Sequence, residues 1–354
     1  MTEQPWPLRR LRPDLAWPLS QGAGVTVAVI DSGVAADHPV LSGQVFSGVD
    51  FLRPDFAGVC DLAAHGSIIA GVIAGRQLPN SGFSGIAPQA KILPIRVVAD
   101  TERTNDPAVP GNIATAIRLA ADAPNVAVIN LSLYTVQTPA LDAAIAYAIA
   151  KNVVIVAAAG NQGGEGGNQA AYPAAHESVI AVAGIDELDR HVEASTAGAY
   201  VDVAAPGVRV AGPMPVGGGF ESFKEGGTSF AAAYVSGVAA LIKSRYPGLS
   251  PGQVARRIVD TADHPPSGWN PDVGHGVVNP YRAVAADVPE AQPVPLNTEL
   301  PAPAAKRDPL AGARTAAIWS AAGGVALTVI VLVGAFVVRA GRRRGWRPER
   351  ARSG

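Results

Sequence analysis

Apolar residues along the chain fall into two recurring patterns. Short continuous runs rich in Val and Ile occur at Val25–Ile30 (VTVAVI), Lys91–Val97, Val126–Leu131 (VAVINL), Val153–Ala158 (VVIVAA) and Val179–Ala183. Runs of this kind suit strands buried on both faces, as in a parallel sheet. Between and after them lie helix candidates: Gly66–Ala74, Asn112–Ala121, Pro139–Lys151, Thr228–Ser244 and Pro251–Thr261. Ser250 is placed to cap the last of these, with Pro251 at its first helical position. Strands alternating with helices predict an α/β fold of three layers, with a mostly parallel central sheet flanked by helices.

A third pattern closes the chain. Residues 286–317 are Pro-rich without apolar periodicity, which predicts an extended linker. Ile318–Val338 then runs 21 residues without a charge, which as a helix spans roughly 31 Å, the thickness of a bilayer's hydrocarbon core. Residues 339–354 carry seven Arg and one Glu, a net charge of +6. The organisation expected is an N-terminal extension (1–14), a globular domain (15–285), a linker (286–317), a transmembrane helix (318–338) and a basic tail (339–354). The positive-inside rule puts the tail in the cytoplasm and the globular domain outside. That orientation needs an export signal, and Met1–Ser20 holds no apolar run of the length a signal peptide uses. The signal is expected upstream of Met1 or already removed.

Composition narrows the function classes. Charged residues are 16% and apolar residues 48% of 354, which excludes a disordered chain. The net charge of −1 leaves the body acidic once the basic tail is set aside, so a nucleic-acid partner is not expected. Cys60 is the single cysteine, which excludes an internal disulfide and a four-Cys zinc site. His38, His176, His191, His264 and His275 form no paired metal spacing, and no cofactor or metal is expected. Asp37, Asp50 and Asp55 are read as solvated loop acids, with a calcium site as the alternative.

Four segments could carry chemistry, and each has an ordinary structural explanation when taken alone. Asp31 ends a buried strand in VTVAVIDSGV, where an acid is placed for function or for capping a helix. His65 opens the small-residue helix HGSIIAG, where a satisfied structural histidine is common. Ser229 starts the helix in GGTSFAAAYVSGVAAL, near the positive end of its dipole or as an ordinary N-cap. Asn161 follows a buried strand in VVIVAAAGNQG, where its amide can donate to a developing oxyanion.

Together, in the order Asp31, His65, Asn161, Ser229, these segments resemble the motifs of the subtilisin-like serine proteases (peptidase family S8). The resemblance covers about residues 15–285, through GHGVVNPYRAV. It implies a subtilisin-like fold and a serine endopeptidase acting on proteins or peptides. Asp31, His65 and Ser229 would be its catalytic residues and Asn161 its oxyanion-hole donor. It further implies that Ser132 and Leu133 pair with substrate backbone and that Ala158, Ala159 and Gly160 line the specificity pocket. The Pro-rich linker, single span and basic tail, with Phe230 and Tyr234 in GTSFAAAYVSG, are similar to mycosins, the membrane-anchored proteases of type VII secretion. That likeness implies a membrane secretion complex as partner, with a structural cap on that complex as the rival role.

Several departures accompany the resemblance. Ser32 and Ser67 stand where Thr is common, and Ala233 stands where Pro is usual. Tyr134 follows Ser132-Leu133 where many subtilisins have Gly, so it is expected to narrow the pocket or block a subsite. Mycosins usually carry disulfides, which Cys60 alone cannot form. Cys60 precedes His65 by five residues and is read as a free loop thiol rather than a nucleophile.

Overall fold

The computed structural model describes residues 1–100, 106–164, 169–223, 227–287, 327, 329–343 and 345. Contacts divide the chain into two units, Met1–Pro289 and Glu290–Gly354.

The first unit is built on a seven-stranded sheet. Its strands are β1 (Thr26–Asp31), β2 (Val49–Asp50), β3 (Lys91–Arg96), β4 (Val126–Leu131), β5 (Val154–Ala158), β6 (Ile180–Ile185) and β7 (Val203–Pro206). They lie in the order β2-β3-β1-β4-β5-β6-β7, and every pairing is parallel. The five apolar runs therefore become strands, as their composition predicts.

Alternate side chains of the central strands enter different cores, the period-two geometry of a pleated strand. Val27 and Val29 of β1, with Val154 and Val156 of β5, enter one core. Ala28, Ile30, Ile155 and Ala157 enter the other. The first core is shared with α2 (His65–Ala74) and α5 (Thr228–Arg245), the second with α3 (Val109–Asp122) and α4 (Pro139–Ala150). These are the three layers. Helix α5 is buried along nearly its whole length, from Thr228 to Lys243, so it has no polar face to turn to water.

Several elements were not legible. Strands β2 and β7 are too short to make an apolar run. An antiparallel pair, β8 (Val210–Pro213) and β9 (Phe220–Phe223), forms a separate hairpin just before α5. Helix α1 (Trp6–Leu11) puts Leu8 and Leu11 into the first core, and Trp6 Nε1 donates to Val208 O at 2.9 Å. Further along, α6 (Pro251–Asp260) begins with the expected cap. Ser250 Oγ accepts from Gln253 N, and Gln253 Oε1 accepts from Ser250 N, a reciprocal capping box. Helix α7 (Pro280–Ala285) follows.

One sequence expectation fails here. Asp50 is 3% exposed rather than solvated. It accepts from Leu52 N and Arg53 N and pairs with Arg96 at 3.5 Å. Burial of a carboxylate requires such partners, and three donors supply them. Asp37 and Asp55 are exposed, and among the described residues no group of acids, His or Cys is arranged to hold a metal.

In the second unit, residues 329–343 are helical, and Ile330, Leu332, Phe336 and Val337 are exposed. Among the described residues no helix is long and apolar enough to cross a membrane. The expected span begins at Ile318, and its residues 318–326 and 328 lie outside the described residues, as do residues 288–317 of the expected linker.

Candidate active site

The chain order reverses between β1 and β4. Strand β1 has β3 on one side and β4 on the other, so the connections leave in opposite directions. Crevices at such a switch point, beyond the carboxyl ends of the strands, are where open α/β sheets bind ligands. Asp31 ends β1 there, and Ser132 follows the end of β4.

Two glycines bring His65 down onto Asp31. Gly33 has φ +105°, and a Cβ on it would stand 2.1 Å from Cys60 O. A Cβ on Gly66 would stand 2.1 Å from Gly33 O. The turn after β1 and the first turn of α2 thus pack backbone against backbone. The result is a short contact: His65 Nδ1 donates to Asp31 Oδ1 at 2.8 Å, with Oδ2 at 3.0 Å. Asp31 is fully buried and also accepts from Ser32 N at 2.7 Å. A carboxylate can only accept, so the proton of a neutral His65 sits on Nδ1 and leaves Nε2 as a base. Burial alone would lower the His65 pKa. The charge and hydrogen bond of Asp31, with the charge of Asp61, carry it above its ordinary 6.5.

Ser229 is the second residue of α5. It is not the cap, because the N-cap is Gly227, which offers no side chain. A ladder of buried polar groups fixes its backbone to β4. Ser132 Oγ donates to Ser229 O at 2.8 Å, Asn130 Nδ2 donates to Ser132 Oγ at 2.9 Å, and Ser236 Oγ donates to Asn130 Oδ1 at 2.9 Å. The Ser229 hydroxyl itself donates to Ser132 O at 3.1 Å. Its hydrogen bond is therefore to the backbone and not to His65. Such bonds in ligand-free catalytic sites are often long or misaligned and tighten with substrate, and a change of χ1 between staggered wells re-aims the hydroxyl. The Phe230 ring lies 5.8 Å from the His65 ring and gives the imidazole an apolar neighbour.

Asn161 is anchored by its carbonyl end. Its Oδ1 accepts from Thr228 N and Thr228 Oγ1, both at 2.9 Å. A backbone N–H can only donate, so the atom facing it must be oxygen, and the NH₂ group faces the other way. A Cβ on Gly227 would stand 2.8 Å from Asn161 Nδ2, so this position leaves no room for a side chain.

His65, Ser229 and Asn161 line one cleft of about 570 Å³, together with Ser132, Leu133, Tyr134, Ala158 and Gly160. Ala159 does not line it. Its side chain is in the first core, and its carbonyl accepts from Tyr200 OH at 2.6 Å. Tyr134 is 37% exposed and also borders a neighbouring depression of about 450 Å³ with Gln137, Gln162 and Tyr172. Cys60 is half-buried and does not line the cleft.

The family model for subtilases matches residues 22–276. The chain belongs to the subtilase family.

This subtilase is a mycosin-like serine endopeptidase. Mycosin-1 of Mycobacterium tuberculosis is 37% identical over 400 residues, covering 97% of this chain and 86% of its own. The crystal structure of MycP1 from Mycobacterium smegmatis superposes with a TM-score of 0.75 at 32% identity, covering 85% of this chain and 90% of that one. A chain of an intact ESX-5 inner membrane complex gives a TM-score of 0.73 at 30% identity, covering 95% and 90%.

Sequence reasoning missed three polar residues of the site: Asn130, Thr228 and Asp61. Asn130 carried a usable signal, since a polar side chain inside the apolar run VAVINL must find buried partners. Thr228 and Asp61 carried none, because their roles depend on contacts across the fold.

Proposed function

We propose that this subtilase is a membrane-anchored endopeptidase whose nucleophile, base and orienting acid are Ser229, His65 and Asp31. The observation that carries the reading is that His65, hydrogen-bonded to the buried Asp31, lines the same cleft as Ser229. Ser229 Oγ attacks the scissile carbonyl carbon while His65 Nε2 takes its proton. The tetrahedral oxyanion receives hydrogen bonds from Asn161 Nδ2 and the Ser229 backbone N–H. His65 then gives its proton to the leaving amine, and an acyl-enzyme remains. Water attacks the acyl carbon through the same base and frees Ser229. Asp31 holds the tautomer and stabilises the imidazolium throughout. No cofactor enters this sequence. A serine-directed fluorophosphonate should label Ser229 and abolish peptide hydrolysis; labelling elsewhere with activity intact overturns the assignment.

Ser132 and Leu133 border the cleft where a substrate backbone would pair, and Ala158 and Gly160 line the pocket for its side chain. Tyr134 adds a ring where smaller subtilisin residues leave space. The expected preference is for small or slender residues before the scissile bond, with slow cleavage after Phe or Tyr. Tyr134→Gly should widen it. A peptide library cleaved efficiently after large aromatics by the parent protein refutes this.

The uncharged run Ile318–Val338 and the +6 tail support a single span, with the catalytic domain extracytoplasmic and the tail cytoplasmic. Protease added to intact spheroplasts should digest the catalytic domain and spare the tail. Protection of the catalytic domain rejects that topology. The likeness to mycosins supports a place beside a type VII secretion complex, with proteins of that pathway or the protease itself as substrates. The extended likeness to a chain of an ESX-5 inner membrane complex favours a second role as a structural cap.

A further inference from the structure

Helix α2 starts without a capping side chain. Its N-cap is Ala64, held in the left-handed region at φ 66°, a conformation with a steric cost for any residue but glycine. The first N–H groups of a helix nevertheless need acceptors. Asp61, three residues upstream of the cap, accepts from one of them, Ser67 N, and Ser32 Oγ accepts from another, Gly66 N. The Asp61 carboxyl group is 4% exposed and faces four donors. Ser32 Oγ and Ala63 N reach Oδ1, each at 3.0 Å, and Ser67 N and Ser67 Oγ reach Oδ2 at 2.9 and 2.7 Å. The two hydroxyls also accept, from Gly66 N at 3.0 Å and from Ala35 N at 2.9 Å. Their protons are therefore directed to Asp61. Ser32 directly follows Asp31, and Ser67 stands two residues after His65.

We propose, on the basis of the triad reading above, that Asp61 is a positioning residue of the reaction. It clamps the chain on both sides of the Asp31–His65 pair and keeps a second buried negative charge beside it. Each function follows from the geometry. The clamp fixes the turn after β1 against the first turn of α2, where the Gly33–Gly66 contact leaves no slack. The charge favours the imidazolium that forms as Ser229 loses its proton, because opposite charges nearby stabilise the charged form. It also lies at the N-terminal end of α2, where the helix dipole favours an anion.

Among the described residues, the charged groups acting on the imidazole are Asp31 from β1 and Asp61 from the loop before α2, the one acting on Asp61 is Asp31, and no cation is among them. Burial raises the Asp61 pKa, opposed by its bonds from Ser67 and Ser32.

Asp61→Asn tests the proposal, because it keeps the shape and removes the charge. In the parent protein the acid limb of kcat/KM should lie above pH 6.5, where His65 gives up its proton. Without Asp61 the imidazolium loses a stabilising charge, so the limb should move to lower pH. The plateau of kcat should fall about tenfold, the loss of one modest transition-state interaction, with KM little changed. A purely structural residue would lower the plateau without moving the limb, and that result overturns the proposal. Ser229→Ala, assayed in parallel, separates the premises: if it stays active, the triad reading itself has failed. If Asp61→Asn does not fold, Ser67→Ala decides. It removes one donor from Asp61, whose carboxylate is then more easily protonated, so the imidazolium loses part of that charge and the acid limb should move to lower pH by less than in Asp61→Asn. A limb that stays in place overturns the proposal.

Discussion

Ser229→Ala will fold, and its kcat for peptide hydrolysis will drop by about 10⁶, the loss known for the corresponding serine in subtilisin, a relative of this chain. The substitution removes one hydrogen bond, from Ser229 Oγ to Ser132 O, at a stability cost of about 1 kcal/mol. The ladder through Asn130 and Ser132 ends on the Ser229 carbonyl, which alanine keeps. The start of α5 therefore stays in place, and a folded, inactive protein is expected by circular dichroism and peptidase assay. The same variant separates the two proposed roles. If proteolysis is the main task, secretion in cells carrying Ser229→Ala should match a deletion. If the domain is a cap, the variant should support secretion and the deletion should not. Undiminished hydrolysis by the folded variant would remove Ser229 from the mechanism.

Asn161→Ala is expected to lower kcat by about 10²–10³, the magnitude known for the oxyanion-hole asparagine of subtilisin, with little change in KM. The reasoning is geometric. The amide oxygen is held by the backbone and hydroxyl of Thr228, so the donor end is aimed before substrate arrives. A fixed dipole of this kind costs no reorganisation when charge develops. Because the negative oxygen exists only near the transition state, its loss appears in kcat. Thr228→Ala removes one anchor of the amide and should cause a smaller drop of the same kind. An Asn161→Ala variant with unchanged kcat and a raised KM would mean that the amide binds the ground state instead.

The central strands were legible because burial on both faces writes itself as unbroken Val and Ile runs. Helix α5 was legible for a similar reason, since its small residues leave no polar face. Strand β2 has two residues and β7 reads VAAP, so neither differs from loop without its neighbours. The hairpin β8–β9 is partly polar, with Glu221 and Ser222 exposed, and shows no clear apolar pattern. Within the site, Asp31, His65, Asn161 and Ser229 were readable from their flanks. Ala159 was named with Ala158 and Gly160 because the resemblance implies all three together, while its methyl turns into the core. Asp50 was misread because nothing in the loop announces Arg96 on β3 as its partner. Asp61 shares that difficulty, since three of its four donors come from Ser32 and Ser67, which lie beside Asp31 and His65 on different elements.

The wholly parallel sheet has a kinetic consequence. Parallel neighbours cannot be joined by a tight turn, so every pairing waits for a crossover to close. Ser229 and Ser132, which hydrogen-bond to each other in both directions, are 97 positions apart. Contacts of such long sequence separation form late and slowly. A chain emerging N-terminus first from a ribosome therefore exposes Asp31, His65 and Asn161 well before Ser229, and none of them stands against it until the sheet has closed. On the triad reading proposed above, latency during synthesis is built into the topology, and cutting begins only when the last crossover has closed.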